Sequence, residues 1–428
     1  MDSGSKLALL GGNPTVTYQI PRYNSIGQEE IDAVNNVLGT GILSDFLASW
    51  GPHFYGGNKV QEFEKKCSDY FRVKHAIAVN SWTSGLVCAV GAIGVEPGDE
   101  IIVSPWTMSA SAISILHWNA IPVFADIDRE TYCINPQSII RNISNRTKAI
   151  VAVDVFGQSS NYQEINKIAK DFNLKVICDT AQAPGGTSMG SPSGTQGDIG
   201  GFSLNYHKHI NTGEGGILVT DDDGLADNMR LIRNHAESIV EEKKHHTLVN
   251  MIGHNFRMGE IEAAIGICQL DKLSKLVSMR QSIAHRLTTG LSSLKGLILP
   301  RTAEGNEHVY YKYAMQIDPL VLGVDKFRIV DALKSEGVPG LSSQYVNVHM
   351  LPVFQNKIAY GSGGFPWKSE FTSRDIEYNK GICPVAEDLQ DHRFFSLDLC
   401  GFEFQIEDIN LIIEAFKKVW GNLGALKF

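Results

Sequence analysis

The pattern of apolar and polar residues is most regular between residues 76 and 220. Short apolar runs alternate there with segments in which apolar residues recur at helical spacing. This alternation predicts strands and helices in a largely parallel sheet that is covered on both faces. The predicted strands are 76–79, 101–103, 122–127, 148–155, 175–178, 199–204 and 217–220, and the predicted helices between them are 84–94, 109–118 and 165–172.

The region before this alternation predicts an arm and two helices. Residues 1–27 contain few periodic positions and are interrupted by glycine and proline, which is typical of an extended arm. Apolar residues at helical spacing predict a helix over 28–38, with Ile31, Val34 and Val37 or Leu38 on its apolar face. They predict a second helix over 59–71. Between these helices, residues 40–58 are rich in glycine and aromatic residues and are predicted to form a loop.

The region after residue 220 lacks this regular alternation of short strands and helices. A helical pattern runs from 260 to about 294, and a strand over 309–317 follows it. Helices are predicted over 326–335 and 409–420, and residues 356–380 are predicted to be an irregular loop. The chain of 428 residues is long enough for two unequal domains. The predicted division is an N-terminal arm at 1–27, a large α/β domain at 28–280 and a small α+β domain at 281–428.

Composition and charge narrow the class of protein. The chain has 43% hydrophobic and 20% charged residues, a formal net charge of −9 and no basic run, which argues against nucleic acid as a partner. Its apolar runs fall short of the roughly 20 residues that a membrane span needs. The run at 7–10 is too short for a signal peptide. We therefore expect a cytoplasmic protein that does not associate with a membrane.

Cysteine and histidine spacing gives no sign of a metal site. The seven cysteines are odd in number and include no CxxC pair, which favours reduced thiols in the cytosol. His245 and His246 lie in a charged stretch that has no further ligand at metal spacing. We expect a solvated loop at these histidines and no bound metal.

Lys208 is the first candidate for chemistry. It stands in a polar turn between the last two predicted strands, and the glycine-rich turn 213–216 follows it. Lysine is costly to bury, and a desolvated lysine loses its proton more readily and can form a Schiff base with a carbonyl. A lysine on a solvated hairpin loop fits the same spacing, so the turn by itself leaves both interpretations open.

Three other features follow predicted strands. Thr83 and Ser84 open a helix, whose free N–H groups favour a phosphate. Trp106 follows the next strand and could be a platform for a planar ring, and Asp179 ends a buried strand, where a carboxylate needs a partner. Each feature also has an ordinary structural interpretation: a helix cap, core packing, or a salt bridge. Ligands of such sheets collect at the carboxyl ends of the strands, so these side chains are predicted to meet.

The joint requirements of pyridoxal phosphate match this set. The cofactor needs an anion site for its phosphate, a plate for its ring, a carboxylate for the ring nitrogen and an amine for its aldehyde. The chain also resembles the DegT/DnrJ/EryC1/StrS family of aminotransferases, which act mainly on keto sugars. Motifs that carry the resemblance are EPGDEIIV at 96–103, PVFADID at 122–128, CDTAQA at 178–183, GDIGGFSL at 197–204, KHINTGEGG at 208–216 and NFRMGEIEAAIG at 255–266.

The resemblance implies an aspartate-aminotransferase-like fold of type I and specific roles near the cofactor ring. Lys208 would form the Schiff base and move the proton, and Asp179 would pair with the pyridinium nitrogen. Trp106 would stack on one ring face, and Gln182 stands where the family has His or Gln beside the ring. Asn255 would reach the phosphate of the neighbouring subunit's cofactor, which implies a homodimer with shared active sites.

The resemblance further implies residues for the phosphate and the substrate. Thr83, Ser84 and Ser203 would bind the cofactor phosphate. Glu214 and, in the segment that begins at residue 349, His349 would border the substrate. The implied reaction moves an amino group from an amino acid, glutamate, to a keto sugar that is linked to a nucleotide, with the cofactor alternating between its pyridoxal and pyridoxamine phosphate forms.

Two departures from the family pattern bear on this interpretation. The small residue that normally precedes Thr83 is replaced by Trp82, so a large side chain must be accommodated. Some relatives are dehydratases with histidine in place of the lysine, and His207 and His209 flank Lys208 here. The register favours the aminotransferase, since Lys208 precedes the first glycine of the GEGG turn by five residues. A keto-cyclitol or a small phosphorylated ketone as acceptor, a sugar dehydratase, and a non-catalytic cofactor-binding scaffold are the alternatives.

Overall fold

A computed structural model describes residues 6–243 and 249–427. The predicted loop histidines, His245 and His246, therefore lie outside the described residues. The strands are β1 His75–Val79, β2 Glu100–Val103, β3 Ile121–Phe124, β4 Thr147–Val153, β5 Lys175–Asp179, β6 Thr187–Ser188, β7 Ser191–Pro192, β8 Ile199–Ser203, β9 Gly216–Thr220, β10 Leu297–Ile298, β11 Asn306–Glu307, β12 Lys312–Ile317, β13 Leu341–Ser342 and β14 Phe394–Asp398. The helices are α1 Gln28–Thr40, α2 Asn58–Phe71, α3 Trp82–Ala92, α4 Ala110–His117, α5 Pro136–Asn142, α6 Tyr162–Phe172, α7 Asp223–Arg233, α8 Ala236–Lys243, α9 Glu260–Leu291, α10 Pro319–Leu322, α11 Lys326–Ser335, α12 Pro352–Gln355, α13 Pro384–Asp388 and α14 Ile406–Gly421.

The largest sheet has seven strands in the order β1-β9-β8-β5-β4-β2-β3. Only β9 runs against its neighbours, β1 and β8, and all other pairs are parallel. The carboxyl ends of the other six strands therefore share one edge of the sheet. This arrangement confirms the predicted α/β class with a mostly parallel sheet.

Both faces of this sheet are covered, as the near-continuous apolar runs predict. Ile77 and Leu218 belong to an apolar cluster that includes the buried face of α3. Their chain neighbours Ala78 and Val219 point the opposite way and join a cluster with residues of α2 and α9. Successive residues of a strand point to opposite faces, so a strand that is buried on both sides must be apolar throughout.

The C-terminal part has its own sheet and its own apolar cluster. Four strands pair in the order β10-β12-β14-β13, and every pair is antiparallel. Helix α9 joins the two parts, since Leu273 and Val277 pack in the cluster of the large sheet whereas Ile283 and Leu287 pack in the C-terminal cluster. The predicted domain boundary at residue 280 thus falls inside one continuous helix. No described helix is both long enough and apolar enough to cross a bilayer.

Helix α1 differs from its prediction in the face that it buries. Ile31 is 49% exposed, and the buried residues are Glu30 and Val37. Glu30 is turned inward because its carboxylate accepts hydrogen bonds from Gln269 Nε2 and Lys272 Nζ on α9, at 2.8 and 2.7 Å. The apolar periodicity of α1 therefore identified the helix and the burial of Val37 correctly, but Ile31 does not lie on the buried face.

Several shorter elements had no clear signal in the sequence. Helices α5 and α8 and strand β14 were not predicted. Strand β14 lies between β12 and β13 at the centre of the C-terminal sheet. It follows a π-helical turn, Leu389–Arg393, which obscures its boundary. Residues 356–380, all of which are described, form neither helix nor strand apart from an isolated bridge between Tyr360 and Phe365, as predicted.

The predicted arm packs on the C-terminal part through one buried carboxylate. Leu7, Val16 and Ile20 belong to the C-terminal cluster. The Glu336 carboxylate, after α11, accepts hydrogen bonds from the Ala8 backbone N–H at 2.9 Å and from the Thr15 backbone N–H at 3.0 Å. It also pairs with Lys418 Nζ on α14 at 2.8 Å.

The ionisation of Glu336 is coupled to this docking. Burial by itself raises the pKa of the Glu336 carboxyl, but the hydrogen bonds from Ala8, Lys418 and Thr15 outweigh it, so the pKa lies below its ordinary value. A carboxyl whose pKa is lowered by folding stabilises the fold at neutral pH. That stabilisation is lost as the pH falls through the lowered pKa, below the ordinary glutamate range.

We expect the substitution Glu336→Gln to loosen the arm. It removes the charge that two backbone N–H groups and Lys418 share, and hydrogen bonds to charged groups contribute about 1.5–3 kcal/mol. The variant should melt at a lower temperature at pH 7, and residues 6–27 should be cleaved faster in limited proteolysis. Glu414→Gln is the control, because Glu414 pairs with Lys417 on the exposed face of α14. Equal cleavage of wild type and Glu336→Gln would contradict this account.

Candidate active site

A cavity of about 360 Å³ lies at the edge of the large sheet where the six parallel strands end. Its walls come from the segments after β1, β2, β5 and β8 and from the C-terminal part. Parallel strands that end at one edge bring these otherwise distant segments together. The lining residues that matter below are Trp82, Thr83, Met108, Ser111, Asp179, Gln182, Ser203, Asn205, His207, Lys208, Glu214, Tyr311 and Tyr345.

The amine of Lys208 enters this cavity from the turn between β8 and β9. Its backbone N–H donates to the Asn205 carbonyl at 2.9 Å, which closes the turn. Its Nζ lies 4.6 Å from the centre of the Tyr311 ring. Burial lowers the pKa of the Lys208 amine to about 8, against the opposing effect of the Asp179 charge. About a tenth of the amine is therefore unprotonated at pH 7, far more than in an ordinary lysine.

Asp179 ends β5 at the floor of the cavity and is 3% exposed. Trp82 Nε1 donates to its Oδ1 at 2.7 Å, and Ser111 Oγ donates to its Oδ2 at 2.6 Å. The Ser111 hydroxyl in turn lies 2.6 Å from Thr107 Oγ1. A buried carboxylate is tolerated only when such donors compensate it, so this set of contacts keeps a negative charge at the cavity floor.

The N-terminus of α3 forms the adjoining wall. Ser81 caps the helix, because its Oγ accepts from the Ser84 N–H at 3.1 Å, and the Thr83 side chain is exposed to the cavity. Ser203, at the end of β8, adds a hydroxyl. Gly216 permits the close approach of β9, since a Cβ there would lie 2.7 Å from the Trp82 backbone nitrogen. Backbone N–H groups and hydroxyls at a helix N-terminus form an anion site.

The opposite wall carries neutral polar groups. Gln182 Oε1 accepts from the Phe156 backbone N–H at 2.8 Å, and its Nε2 donates to the Tyr345 hydroxyl at 3.0 Å. At the rim, Asn205 Nδ2 donates to Glu214 Oε1 at 2.8 Å. The cavity therefore has an anion site, a buried carboxylate and an amine in one space, with polar groups around its entrance.

Comparisons with known proteins match this geometry. A family model described as the DegT/DnrJ/EryC1/StrS aminotransferase family matches residues 24–389. The chain belongs to this family. It is an aminotransferase with the type I fold.

Three relatives cover most of this aminotransferase. The spore coat polysaccharide biosynthesis protein SpsC of Bacillus subtilis is 35% identical over 85% of this chain and 92% of its own. A GDP-perosamine synthase of Caulobacter vibrioides is 33% identical over 75% of this chain and 88% of its own. The crystal structure of DesI in the presence of its TDP-sugar product has a TM-score of 0.79 and 25% identity, and covers 98% of this chain and 97% of its own.

The aminotransferase brings most of the predicted site residues to one cavity. Lys208, Asp179, Thr83, Gln182, Ser203 and Glu214 all line it, and Ser84 lies directly behind Thr83 in the first turn of α3. Asn255 is exposed and does not line the cavity of its own chain; its Oδ1 accepts from Arg257 Nε at 2.8 Å. This position is compatible with the predicted contribution to a second subunit, which stays a prediction.

Two predicted residues lie away from the cavity. Trp106 is fully buried, with Tyr132 stacked at a centroid distance of 5.8 Å and Phe394 at 4.8 Å, so the predicted plate for a planar ring is wrong in this position. His349 is also fully buried, and its Nε2 lies 3.0 Å from Glu387 Oε1, so the structure corrects its prediction as a substrate residue. Both belong to the packing of the loops behind the site.

Met108, two residues beyond Trp106, takes a position at the cavity and is 66% exposed. Trp82, Ser111 and Tyr345 also line it and were not identified from the sequence. Trp82 was recognised only as a departure from the family pattern. Residues two positions apart in extended chain point to the same side, so the strand period does not separate Met108 from Trp106, and only the tertiary structure does.

The two histidines beside Lys208 have different environments. His207 lies at the rim, where burial and the nearby Lys208 charge lower its pKa to about 4. His209 is fully buried, and Arg280 donates to its Nδ1 at 2.9 Å. Of these three residues, Lys208 carries the amine that lines the cavity together with Asp179, whose charge acts on it. A lysine at this place agrees with the register predicted for an aminotransferase.

We expect Lys208 to titrate far below an ordinary lysine in the cofactor-free aminotransferase. Burial disfavours its charged form, so acetylation of Lys208 should rise with pH around 8. Competitive acetylation, with the Lys208 peptide and the peptide of exposed Lys65 quantified by mass spectrometry in one sample, measures this. Asp179→Asn should lower the pKa of Lys208 further, because the carboxylate favours the charged amine. Identical profiles for Lys208 and Lys65 would contradict the desolvation.

Proposed function

We propose that this aminotransferase uses pyridoxal phosphate to transfer an amino group from an amino acid, glutamate, to the keto group of a nucleotide-linked sugar. The observation that carries the proposal is that the Lys208 amine and the buried Asp179 carboxylate line one cavity beside the N-terminus of α3. A non-catalytic scaffold would need neither a desolvated amine nor a compensated buried carboxylate.

The residues present fit the cofactor. The first turn of α3, with Thr83 and Ser84, and the Ser203 hydroxyl offer donors to a phosphate. Asp179 offers a carboxylate to a protonated ring nitrogen, and Lys208 offers an amine to an aldehyde. When bound, pyridoxal phosphate supplies an electron-withdrawing ring that carries the amino group between the two substrates.

The chain's own residues then have distinct tasks. Lys208, whose amine has a pKa of about 8, takes a proton from the α-carbon of the donor amino acid. It returns a proton to the acceptor when the amino group is transferred. Asp179 keeps the ring nitrogen protonated by the attraction of its charge. Gln182 and the Tyr345 hydroxyl hold each other beside the ring. Met108, which is 66% exposed, lines the same cavity.

Relatives favour a nucleotide-linked acceptor. One relative is named a GDP-perosamine synthase, and the DesI structure contains a TDP-sugar product. The rim formed by Asn205, His207 and Glu214 supplies the polar groups that hydroxyl-rich substrates require. A keto-cyclitol, a small phosphorylated ketone or a dehydratase reaction are the alternatives that the experiment below distinguishes. We place the reaction in the cytoplasm, since six of seven cysteines are buried and all seven are free thiols.

We further propose a homodimer with shared active sites. The N-terminal helix and the segment after it expose a series of large apolar side chains, which in a monomer would stay in water. The exposed residues are Ile31, Leu38, Ile42, Leu43, Leu47 and Trp50. Asn255 is also exposed, and in the proposed dimer it binds the cofactor phosphate of the partner's site.

We expect Lys208→Ala to abolish transfer while the cofactor still binds. Loss of the proton-carrying amine should lower the rate at least about 100-fold, the usual contribution of a positioned acid or base. The near-visible absorbance of the wild type should shift to shorter wavelength with glutamate, and the variant's should not. Lys65→Ala, on the exposed side of α2, is the control.

The acceptor is identified by a panel of keto sugars, with and without a nucleotide, together with a keto-cyclitol. Amine in the product of a nucleotide-linked sugar supports the proposal. Loss of a hydroxyl without amine in the product would show a dehydratase, and transfer only to another ketone would overturn the acceptor class. A protein that cannot be reconstituted with pyridoxal phosphate would overturn the whole proposal.

We expect mixed dimers to recover activity when Lys208→Ala and Asn255→Ala chains are expressed together. A mixed dimer holds one site with Lys208 from one chain and Asn255 from the other. Random pairing should restore roughly a quarter of the wild-type activity, because half of the dimers are mixed and each has one intact site. Lys208→Ala with Asp179→Asn is the control, since both residues belong to the same site. No recovery of activity in the mixture of Lys208→Ala and Asn255→Ala chains would contradict the proposal that the active sites are shared between subunits.

A further inference from the structure

Trp82 occupies the cavity floor in contact with the carboxylate of Asp179. It is 5% exposed, and its Nε1 donates to Asp179 Oδ1 at 2.7 Å. The residue is the first of α3, so its backbone is fixed by the Ser81 cap while its side chain reaches across to the end of β5. An indole has a single polar hydrogen, and here that hydrogen is spent on the carboxylate.

The space for this indole is created by two glycines. A Cβ on Gly85, one helical turn along α3, would lie 2.6 Å from the Trp82 ring, and a Cβ on Gly201 in β8 would lie 2.1 Å from it. Neither approach is possible for a residue with a side chain. Because Gly85 and Gly201 confine the ring between helix and strand, the Trp82 N–H has little freedom to point anywhere else.

The hydrogen bonds of Asp179 leave one acceptor position. A carboxylate has about four lone-pair positions, two on each oxygen. Oδ1 accepts from Trp82 Nε1 and, at 3.3 Å, from the Ala181 backbone N–H, and Oδ2 accepts from Ser111 Oγ. Among the residues that the structure describes, nothing else donates to this carboxylate, so the remaining position is on Oδ2.

We propose that Trp82 is a positioning residue that fixes the Asp179 carboxylate so that Oδ2 presents its free lone pair to the protonated nitrogen of the cofactor ring. The inference rests on the proposed function, since it assumes that Asp179 meets a ring nitrogen. It assigns a purpose to the large residue that departs from the family pattern. Gly85 and Gly201 leave the space that this large side chain needs.

The physical effect of the indole is twofold. The Trp82 N–H offsets part of the cost of burying the Asp179 carboxylate, because a buried carboxylate needs hydrogen-bond donors. The hydrogen bond also restricts rotation of the carboxylate. A group that is already held in place loses less conformational entropy when it binds a ligand. Both effects act on the cofactor through Asp179, and neither requires contact between Trp82 and the amino-acid substrate.

We expect Trp82→Phe to lower the affinity of the cofactor-free protein for pyridoxal phosphate about tenfold, because a six-membered ring remains while the five-membered ring of the indole, with the N–H donor to Asp179, is lost. Affinity is measured by titration calorimetry. In the reconstituted enzyme, kcat should fall while the KM for glutamate stays unchanged. Trp118→Phe is the matched control: Trp118, directly after α4, is 6% exposed, its Nε1 donates to the Val87 carbonyl of α3 at 2.8 Å, and its ring packs on Gly91 of α3.

A double-mutant cycle separates the N–H from the bulk of the ring. If Trp82 acts through the carboxylate, Trp82→Phe should have no further effect on cofactor affinity in the Asp179→Asn background. Additive losses would overturn the inference and show that Trp82 only fills space. Wild-type affinity in Trp82→Phe alone would overturn it as well.

A second variant tests whether the space left by Gly85 and Gly201 holds the Trp82 ring in position, and it leaves Trp82 and Asp179 unchanged. Gly85→Ala places a methyl group 2.6 Å from the Trp82 ring, and the next residue that this group meets is Val79 at an ordinary 3.5 Å. We expect it to displace the indole and weaken cofactor binding, although alanine is the better helix residue. Gly421→Ala, in α14 with no atom within 4 Å, is the control. Unchanged affinity of Gly85→Ala for pyridoxal phosphate would overturn the inference that this space holds the indole in position.

The outcomes distinguish this inference from the proposed function. Wild-type protein that fails to bind pyridoxal phosphate overturns the proposed function and the inference with it. Wild-type protein that binds the cofactor, together with a Trp82→Phe variant of equal affinity, overturns the role of Trp82 alone. Melting temperatures of Trp82→Phe and Trp118→Phe, measured side by side, show whether a loss of affinity reflects a general loss of folding.

Discussion

The burial of one carboxylate, Asp179, constrains the rest of the active site. Removing an ionised group from water costs several kcal/mol unless donors compensate it. The donors here are Trp82 from α3 and Ser111 from α4, two segments that the chain separates from β5. Their positions fix the spacing of both helices against the sheet. The charge at the cavity floor also opposes the full loss of charge on Lys208, whose burial lowers its pKa only to about 8.

The second constraint is the continuity of α9 across the two parts of the molecule. One helix of 32 residues contributes to both apolar clusters and also binds Glu30 of α1 through Gln269 and Lys272. A single rigid element thus relates the large sheet, which carries Lys208, to the C-terminal part, which contributes Tyr345. Rigid elements of this kind hold site residues more exactly in place than loops do.

The fold and part of the site were predictable for identifiable reasons. Strands such as β4 and β5 are buried on both faces, so their apolar runs are continuous and strongly marked. The predictions failed where tertiary contacts outweigh local pattern. Helix α1 turns Glu30 inward because α9 offers it a cation, and Trp106 points into the core while Met108 faces the cavity. His349 resembles a site residue in its motif but is held by Glu387 behind the site.

The sequence by itself determined the α/β class, the position of Lys208 between two strands, and the order of the residues that meet at the sheet edge. These follow from local periodicity and from the rule that parallel strands share one edge. Only the tertiary structure decided which aromatic residue faces the cavity and what holds Asp179. The contact of Trp82 with Asp179 depends on the absence of side chains at Gly85 and Gly201, which are distant or unremarkable in the sequence. Empty space between packed elements is a property of their three-dimensional arrangement, and no local pattern of residues encodes it.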